Sequence, residues 1–133
     1  MKIIVDANIL FAALIKENVS YDILYEKRFN FFTPEYIFTE FTKHKEEILS
    51  KTDRTSEEFY RTLKILKRKI SIISLKDITP FLSEAEKTSP DKDDIVYIAS
   101  AFKLNCHIWS NDKNLKEKQN KIKVYNTEEI MKL

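Results

Sequence analysis

Glycine is absent from all 133 residues. The Walker-type phosphate loop and the dinucleotide fingerprint both need glycine for close backbone approach, so ATP and NAD chemistry lose their usual sequence support. Cysteine occurs once, at Cys106, which excludes an internal disulfide and fits a reducing compartment. No Cys/His constellation suited to zinc is present, and no serine or cysteine has an evident histidine partner for acyl transfer. Long apolar runs are missing too. The longest, Ile9 to Ile15, falls far short of the ~20 residues that span a membrane. The chain opens Met1-Lys2-Ile3-Ile4-Val5-Asp6, with an acid where a signal peptide would continue apolar. Secretion and membrane attachment are not expected, and the expected location is cytoplasmic.

What remains is the composition of one globular domain spanning residues 1–133, with 43% hydrophobic and 33% charged residues. Net charge is +2, but it is unevenly spread. Residues 51–76 hold eight Lys/Arg against three Asp/Glu, and residues 77–99 hold six acids against two lysines. Solvated helix faces would account for such blocks. So would an enzyme that grips a polyanion beside an acidic site.

Short β-branched or aromatic runs alternate with helical patterns. Strands are expected at Lys2–Val5, Asn30–Thr33, Ser71–Ser74, His107–Ser110 and Lys123–Tyr125. Helices are expected at Asn8–Lys16, Tyr21–Lys27, Pro34–Ser50, Ser56–Lys69, Pro80–Lys87, Lys92–Lys103 and Thr127–Lys132. Crossovers of this length imply a single three-layer α/β/α domain around a mainly parallel sheet of about five strands. Thr33-Pro34 reads as a cap followed by first-turn proline. Ile37, Phe41, His44 and Ile48 then form one apolar face, with Glu40 at its edge, roughly 60° from Ile37. Asn105, following Leu104, suits a left-handed helix end. Cys106, His107 and Trp109 read as core residues, as do Phe29, Phe31 and Phe32.

Four carboxylates border these apolar segments: Asp6, Glu40, Asp94 and Asp112. Burying acids there is costly unless something positive joins them. No lysine or arginine lies within two residues of Asp6 or Glu40, whereas Lys92 and Lys113 stand near the other two. In open parallel sheets, ligands collect outside the carboxyl ends of the strands. Asp6 and Asp112 fall there, and so does the start of the helix carrying Asp91, Asp93 and Asp94. If the acids converge, the natural counter-ion is a hard divalent metal, and metal-dependent phosphodiester hydrolysis follows. Each acid also has a plainer reading. Asp6, Asp91 and Asp112 can cap helices, Glu40 can be an exposed helix residue, and His44 a partly buried core histidine. Yet three acids within Asp91-Lys92-Asp93-Asp94 exceed what capping one helix requires.

In order and spacing, the segments Ile3-Ile4-Val5-Asp6-Ala7-Asn8, Thr39-Glu40, Asp93-Asp94-Ile95-Val96-Tyr97-Ile98-Ala99-Ser100-Ala101 and Trp109-Ser110-Asn111-Asp112-Lys113-Asn114 resemble those of PIN domains. This nuclease family includes ribonuclease toxins of prokaryotic toxin–antitoxin pairs. The resemblance implies that Asp6, Glu40, Asp94 and Asp112 form an acidic quartet binding Mg²⁺ or Mn²⁺. Ser110 would support it, with Asn8, Asn114 and Asp91 as secondary polar neighbours. Asp6 and Asp94 would hold the metal, while Glu40 and Asp112 would complete a second site or position water. The implied activity is hydrolysis of RNA. A cognate antitoxin and a homodimer are implied partners; on composition, the apolar helices near Ile9–Ile15 and Tyr21–Tyr25 are the expected contact surfaces. Asn105 departs from the family, which commonly has glycine there.

Arg61, Lys64, Lys67 and Arg68 are candidates for RNA-backbone contacts. Two rival readings stand beside the nuclease. One is a non-catalytic nucleic-acid- or protein-binding module of the same fold, its acids merely capping helices. The other is an Asp-nucleophile phosphatase using Asp6, which wants an acid at position 8 and finds Asn8.

Overall fold

The computed structural model describes residues 1–15, 19–89 and 91–133. Five strands are present: β1 (Lys2–Val5), β2 (Asn30–Pro34), β3 (Ile70–Ile73), β4 (His107–Trp109) and β5 (Val124–Tyr125). All neighbours pair parallel, in the order β3-β2-β1-β4-β5. The chain builds outward from β1 to β3 and then returns to the other side of β1 for β4 and β5. The reversal falls between β1 and β4, the position where open α/β sheets hold their ligands. Ile3, Ile4 and Val5 are all fully buried. Consecutive buried residues belong to a strand covered on both faces, so the run carries no polar alternation.

The helices are α1 (Ala7–Ile15), α2 (Val19–Ile23), α3 (Tyr36–Lys43), α4 (Lys45–Ser50), α5 (Ser56–Lys69), α6 (Leu75–Ile78), α7 (Leu82–Thr88), α8 (Lys92–Leu104), α9 (Lys113–Glu117) and α10 (Thr127–Met131). α5 coincides with the sequence expectation, and Thr55 and Glu58 close a capping box at its start. α8 ends as Asn105 takes a left-handed conformation, φ 51 and ψ 54, which frees its N–H for Phe102 O and that of Cys106 for Ala101 O. Trp109 is fully buried. Its ring lies 5.7 Å from Phe31, and its indole N–H donates to Thr127 Oγ1 at 3.1 Å. Cys106 and His107 are half-buried, and burial pushes the Cys106 thiol up to about 11.

Several expectations are corrected. Thr33-Pro34 does not open a helix; both residues extend β2, with Thr33 beside Ile72 and Pro34 beside Ile73. Thr33 Oγ1, buried, donates to Val5 O at 3.1 Å instead of capping. The long helix begins only at Tyr36 and breaks at His44. That break turns Ile48 into the core and leaves His44 exposed, so His44 is not part of the apolar face. Ser74 caps α6 through Asp77 N rather than ending β3. α6 occupies ground the sequence left open, and the helix expected from Pro80 starts as the 3₁₀ turn Thr79–Phe81, with α7 following from Leu82. Lys16, the expected end of the first helix, lies outside the described residues. Ile9, Leu10, Ala13 and Leu14 of α1 are buried in the core of this chain, while Phe11, Ala12 and Ile15 are half-buried. Among the described residues no helix is long and apolar enough to cross a membrane.

Asn105 provides a stability test. A Cβ in the left-handed region costs about 1–2 kcal/mol, less for asparagine. Asn105→Ala should therefore lower stability by about 1 kcal/mol in urea unfolding, while Asn105→Gly should match or exceed the native chain.

Candidate metal centre

At the carboxyl end of β1, Asp6 is held from several sides. Its N–H donates to Trp109 O at 3.0 Å, carrying the ladder one step past β4. Its Oδ2 accepts from Ser110 Oγ at 2.6 Å, and the N–H groups of Ala7 and Asn8 also face the carboxylate. Ser110 is buried and works in both directions, since its Oγ accepts from Asp112 N at 3.0 Å. One hydroxyl thus links the two strand-end acids. Asp112 in turn caps α9, its Oδ1 accepting from Asn114 N at 2.9 Å. Despite these donors, burial holds the Asp6 carboxyl above its usual range, and the charge of Asp112 adds to the shift.

Asp94 arrives from the other layer. Asp91 caps α8 by accepting from Asp93 N at 3.0 Å, and its carbonyl accepts from Asp94 N at 3.1 Å. Asp94 sits in the first turn, where the helix dipole favours an anion, yet it is only 5% exposed. Its Oδ2 is buried with no hydrogen-bond partner. Burial pushes its carboxyl up to about 6, followed by repulsion from Asp91, Asp112, Asp6 and Asp93.

These elements enclose a cleft of about 390 Å³ lined by Asp6, Ala7, Asn8, Tyr36, Lys92, Asp93, Asp94, Val96, Tyr97 and Asp112. Asp6, Asp94 and Asp112 therefore share one site, with Asn8 at its edge. Glu40 does not line it. Glu40 lies one turn past Tyr36, in a smaller hollow of about 200 Å³ with Phe11, Phe41, His44, Glu47 and Ile48, and its carboxylate is 3.4 Å from His44 Nε2. Asn114 contributes through its backbone to Asp112, and Asp91 through its cap. Arg61, Lys64, Lys67 and Arg68 lie on α5 and are absent from the cleft lining. α5 runs directly into the amino end of β3. Lys67 nevertheless reaches α3, its ammonium 5.8 Å from the Phe38 ring in a hollow shared with Glu35 and Thr39.

Among the described residues no three His, Cys, Asp or Glu side chains stand within joint ligating distance of one point. The acids meet at Coulombic range instead. The donor set nonetheless fits a hard divalent ion: carboxylate oxygens only, one of them buried and unpartnered, with each charge raising the cost of the next.

The family model for the PIN domain matches residues 4–131. The chain belongs to the PIN-domain family. Members of that family are generally nucleases. Among solved structures it is similar to VapBC2 from Rickettsia felis bound to a DNA fragment from their promoter, with a TM-score of 0.70 and 17% identity over 95% of this chain and 98% of that one. It is also similar to a toxin–antitoxin complex from Klebsiella pneumoniae, with a TM-score of 0.68 and 15% identity over 94% and 97% of the two chains. At such identities the likeness is one of fold. No curated protein matches it in sequence.

Two cleft residues of this PIN domain escaped the sequence reading. Tyr97 Oη accepts from Ala7 N at 3.1 Å and interacts with the Tyr36 hydroxyl, so a hydroxyl pair borders the acids. Burial raises both phenols, so they stay protonated at neutral pH. Tyr97 lies three residues past Asp94, on the same face of α8, and helical spacing alone would have found it.

Asp94 sets a pH-dependent stability. Its folded value, about 6, exceeds the ordinary carboxylate value, so the folded state holds the proton more tightly. Its contribution falls as pH rises from about 4 to 6 and is a fixed cost above that. In metal-free protein near pH 7.5, Asp94→Asn should raise thermal stability by about 1–3 kcal/mol. The gain should vanish below about pH 4. A loss of stability at neutral pH would mean that Asp94 acts as a helix-start residue and nothing more.

Proposed function

We propose that this PIN domain is a metal-dependent endoribonuclease that hydrolyses RNA phosphodiester bonds with Mg²⁺ or Mn²⁺, and that it is the toxin of a toxin–antitoxin pair. The observation that carries the chemistry is the unpartnered, buried Asp94 Oδ2 in one cleft with Asp6 and Asp112. Asp6 and Asp94 are the residues to hold a divalent ion. Bound there, such an ion would lower the pKa of its water toward neutrality and offset charge on the scissile phosphate. Ser110 fixes the rotamer of Asp6 by donating to Oδ2, which leaves Oδ1 for the ion. Asp112, anchored by its own cap, has one oxygen committed to Asn114 N and the other available to orient a water. Glu40, which lines the neighbouring hollow rather than the cleft, is assigned an outer role.

The toxin reading draws on the two structural neighbours, one a toxin–antitoxin complex and the other VapBC2 on promoter DNA. A cognate antitoxin and a homodimer are the corresponding proposed partners. The rival reading, a non-catalytic binding module, has a specific observation behind it, because Asp91 and Asp112 do cap helices. Capping accounts for the Ala7 and Asn8 N–H groups on Asp6, but not for the unpartnered oxygen of Asp94.

A Mn²⁺ titration read by water-proton relaxation separates the two. Saturable binding should appear in the wild type and disappear in Asp94→Asn. Absence of binding at millimolar Mn²⁺ in the wild type would hand the lead to the binding module. Ser110→Ala should then lower metal-dependent RNA cleavage about 10–100-fold. Losing the Ser110 donor raises the Asp6 carboxyl further, so the acid limb of the pH–rate profile should move to higher pH.

A further inference from the structure

Three aromatic side chains are notably exposed: Tyr25, Tyr36 and Tyr60. Two of them already have a partner over the ring. The Lys69 ammonium sits 4.9 Å from the Tyr25 centroid, and the Lys45 ammonium 5.0 Å from that of Tyr60. Tyr25 also has Tyr21 at 5.1 Å, and Phe59 packs at 5.4 Å from Tyr60. Among the described residues no ring or cation stands over Tyr36, which is 39% exposed. This open ring is the one in the acid cleft, with Asp6, Asp94 and Asp112.

The ring is also held in place. Tyr36 is the first residue of α3, directly after the strand-end Pro34 and Glu35, and Glu35 is pinned by its N–H to Ile73 O at 3.0 Å and by Oε1 to Leu75 N at 2.8 Å. The Tyr36 hydroxyl meets that of Tyr97, which is itself tied to Ala7 N, next to Asp6. A flat apolar face fixed beside a carboxylate cluster can take a planar ligand without paying to order a mobile side chain. The cleft otherwise offers little to hold a polyanion, since its lining has four acids against Lys92.

We propose that Tyr36 forms a nucleobase subsite of this cleft, stacking one unpaired base adjacent to the scissile phosphate. This rests on the ribonuclease reading and names its substrate class: RNA presented as a single strand, because a base must leave its own stack to lie on the ring. Stacking tolerates any base, since each has a π-face, so Tyr36 confers strand-state selectivity rather than sequence selectivity.

The test uses a short single-stranded oligoribonucleotide carrying 2-aminopurine at successive positions, with Ca²⁺ as a non-activating ion. Binding to the wild type and to Tyr36→Phe should quench the probe at one position. Tyr36→Ala and Tyr36→Leu should lose that quench and bind roughly five- to a hundred-fold more weakly, the loss of one base–aromatic stack. An oligonucleotide with an abasic ribose at the same position should bind wild type and Tyr36→Ala alike. A Tyr36→Ala penalty that persists on the abasic strand, or an unchanged affinity on the full strand, overturns the subsite while leaving the nuclease standing. Failure of the wild type to bind any single-stranded RNA overturns the subsite and the nuclease reading together. Unchanged thermal midpoints for the Tyr36 variants exclude loss of folding as the cause.

Discussion

Two carboxyl groups that water barely reaches, Asp6 and Asp94, are set across one cleft, and the rest of the architecture serves to keep them there. Each is raised above its ordinary pKa by burial and by the other acids. The arrangement therefore opposes folding at neutral pH, and only a well-packed surrounding can sustain it. That surrounding is present. β1 is central in the sheet and fully buried from Ile3 to Val5. Ile98, Ala99 and Ala101 of α8 are fully buried beside it, and Trp109 closes the carboxyl end of β4. The topological reversal between β1 and β4 is what brings a residue of the first strand beside residues 104 positions later, as in the Ser110–Asp6 bond.

The caps explain how acids so close together are individually fixed. Asp91 and Asp112 each give one oxygen to a helix start and remain partly exposed. Such acids cost the fold little. Asp6 and Asp94 are the two that are buried; Asp6 takes the Ser110 hydroxyl and the N–H groups at the start of α1, whereas Asp94 keeps one oxygen with no partner. The division separates acids that build the rim from acids that the rim presents. Ser110 joins the classes by donating to Asp6 and accepting from the backbone of Asp112.

The strand–helix alternation was legible in the sequence because strands buried on both faces appear as unbroken β-branched runs, as in Ile3-Ile4-Val5. Asn105 was legible because few residues other than glycine enter the left-handed region, and this chain has no glycine. Thr33-Pro34 misled because the dipeptide is locally a good helix start. Only the parallel ladder with Ile72 and Ile73 overrides that preference. Glu40, one turn into α3, faces a separate hollow with His44 and Phe11, a direction that the apolar spacing of the helix does not fix. The basic block on α5 was legible only as a count, because a count has no direction: none of its four residues lines the acid cleft, and Lys67 lays its ammonium near the Phe38 ring of α3.

The balance of charge in the cleft has a consequence for how RNA would be held. Phosphate binding elsewhere is usually dominated by lysine and arginine, but here Asp6, Asp93, Asp94 and Asp112 face Lys92. Coulomb's law makes such a cleft repel a bare phosphate, all the more where the acids are dry. Affinity at the reacting centre must then come from terms that are not fixed positive charge. A divalent ion shared between carboxylates and phosphate is one, because Mg²⁺ typically takes a few protein carboxylates and completes its shell with water and substrate phosphate oxygens. The flat face of Tyr36 is the other, because stacking is indifferent to the sign of the surrounding field. Metal and base would thus depend on each other. A cation held by Asp6 and Asp94 would offset the repulsion that keeps a phosphate out, and a base stacked on Tyr36 would hold that phosphate near it. On the proposed arrangement the acids would disfavour RNA without the cation, and the same charges that burden the fold would make the site selective for the loaded state.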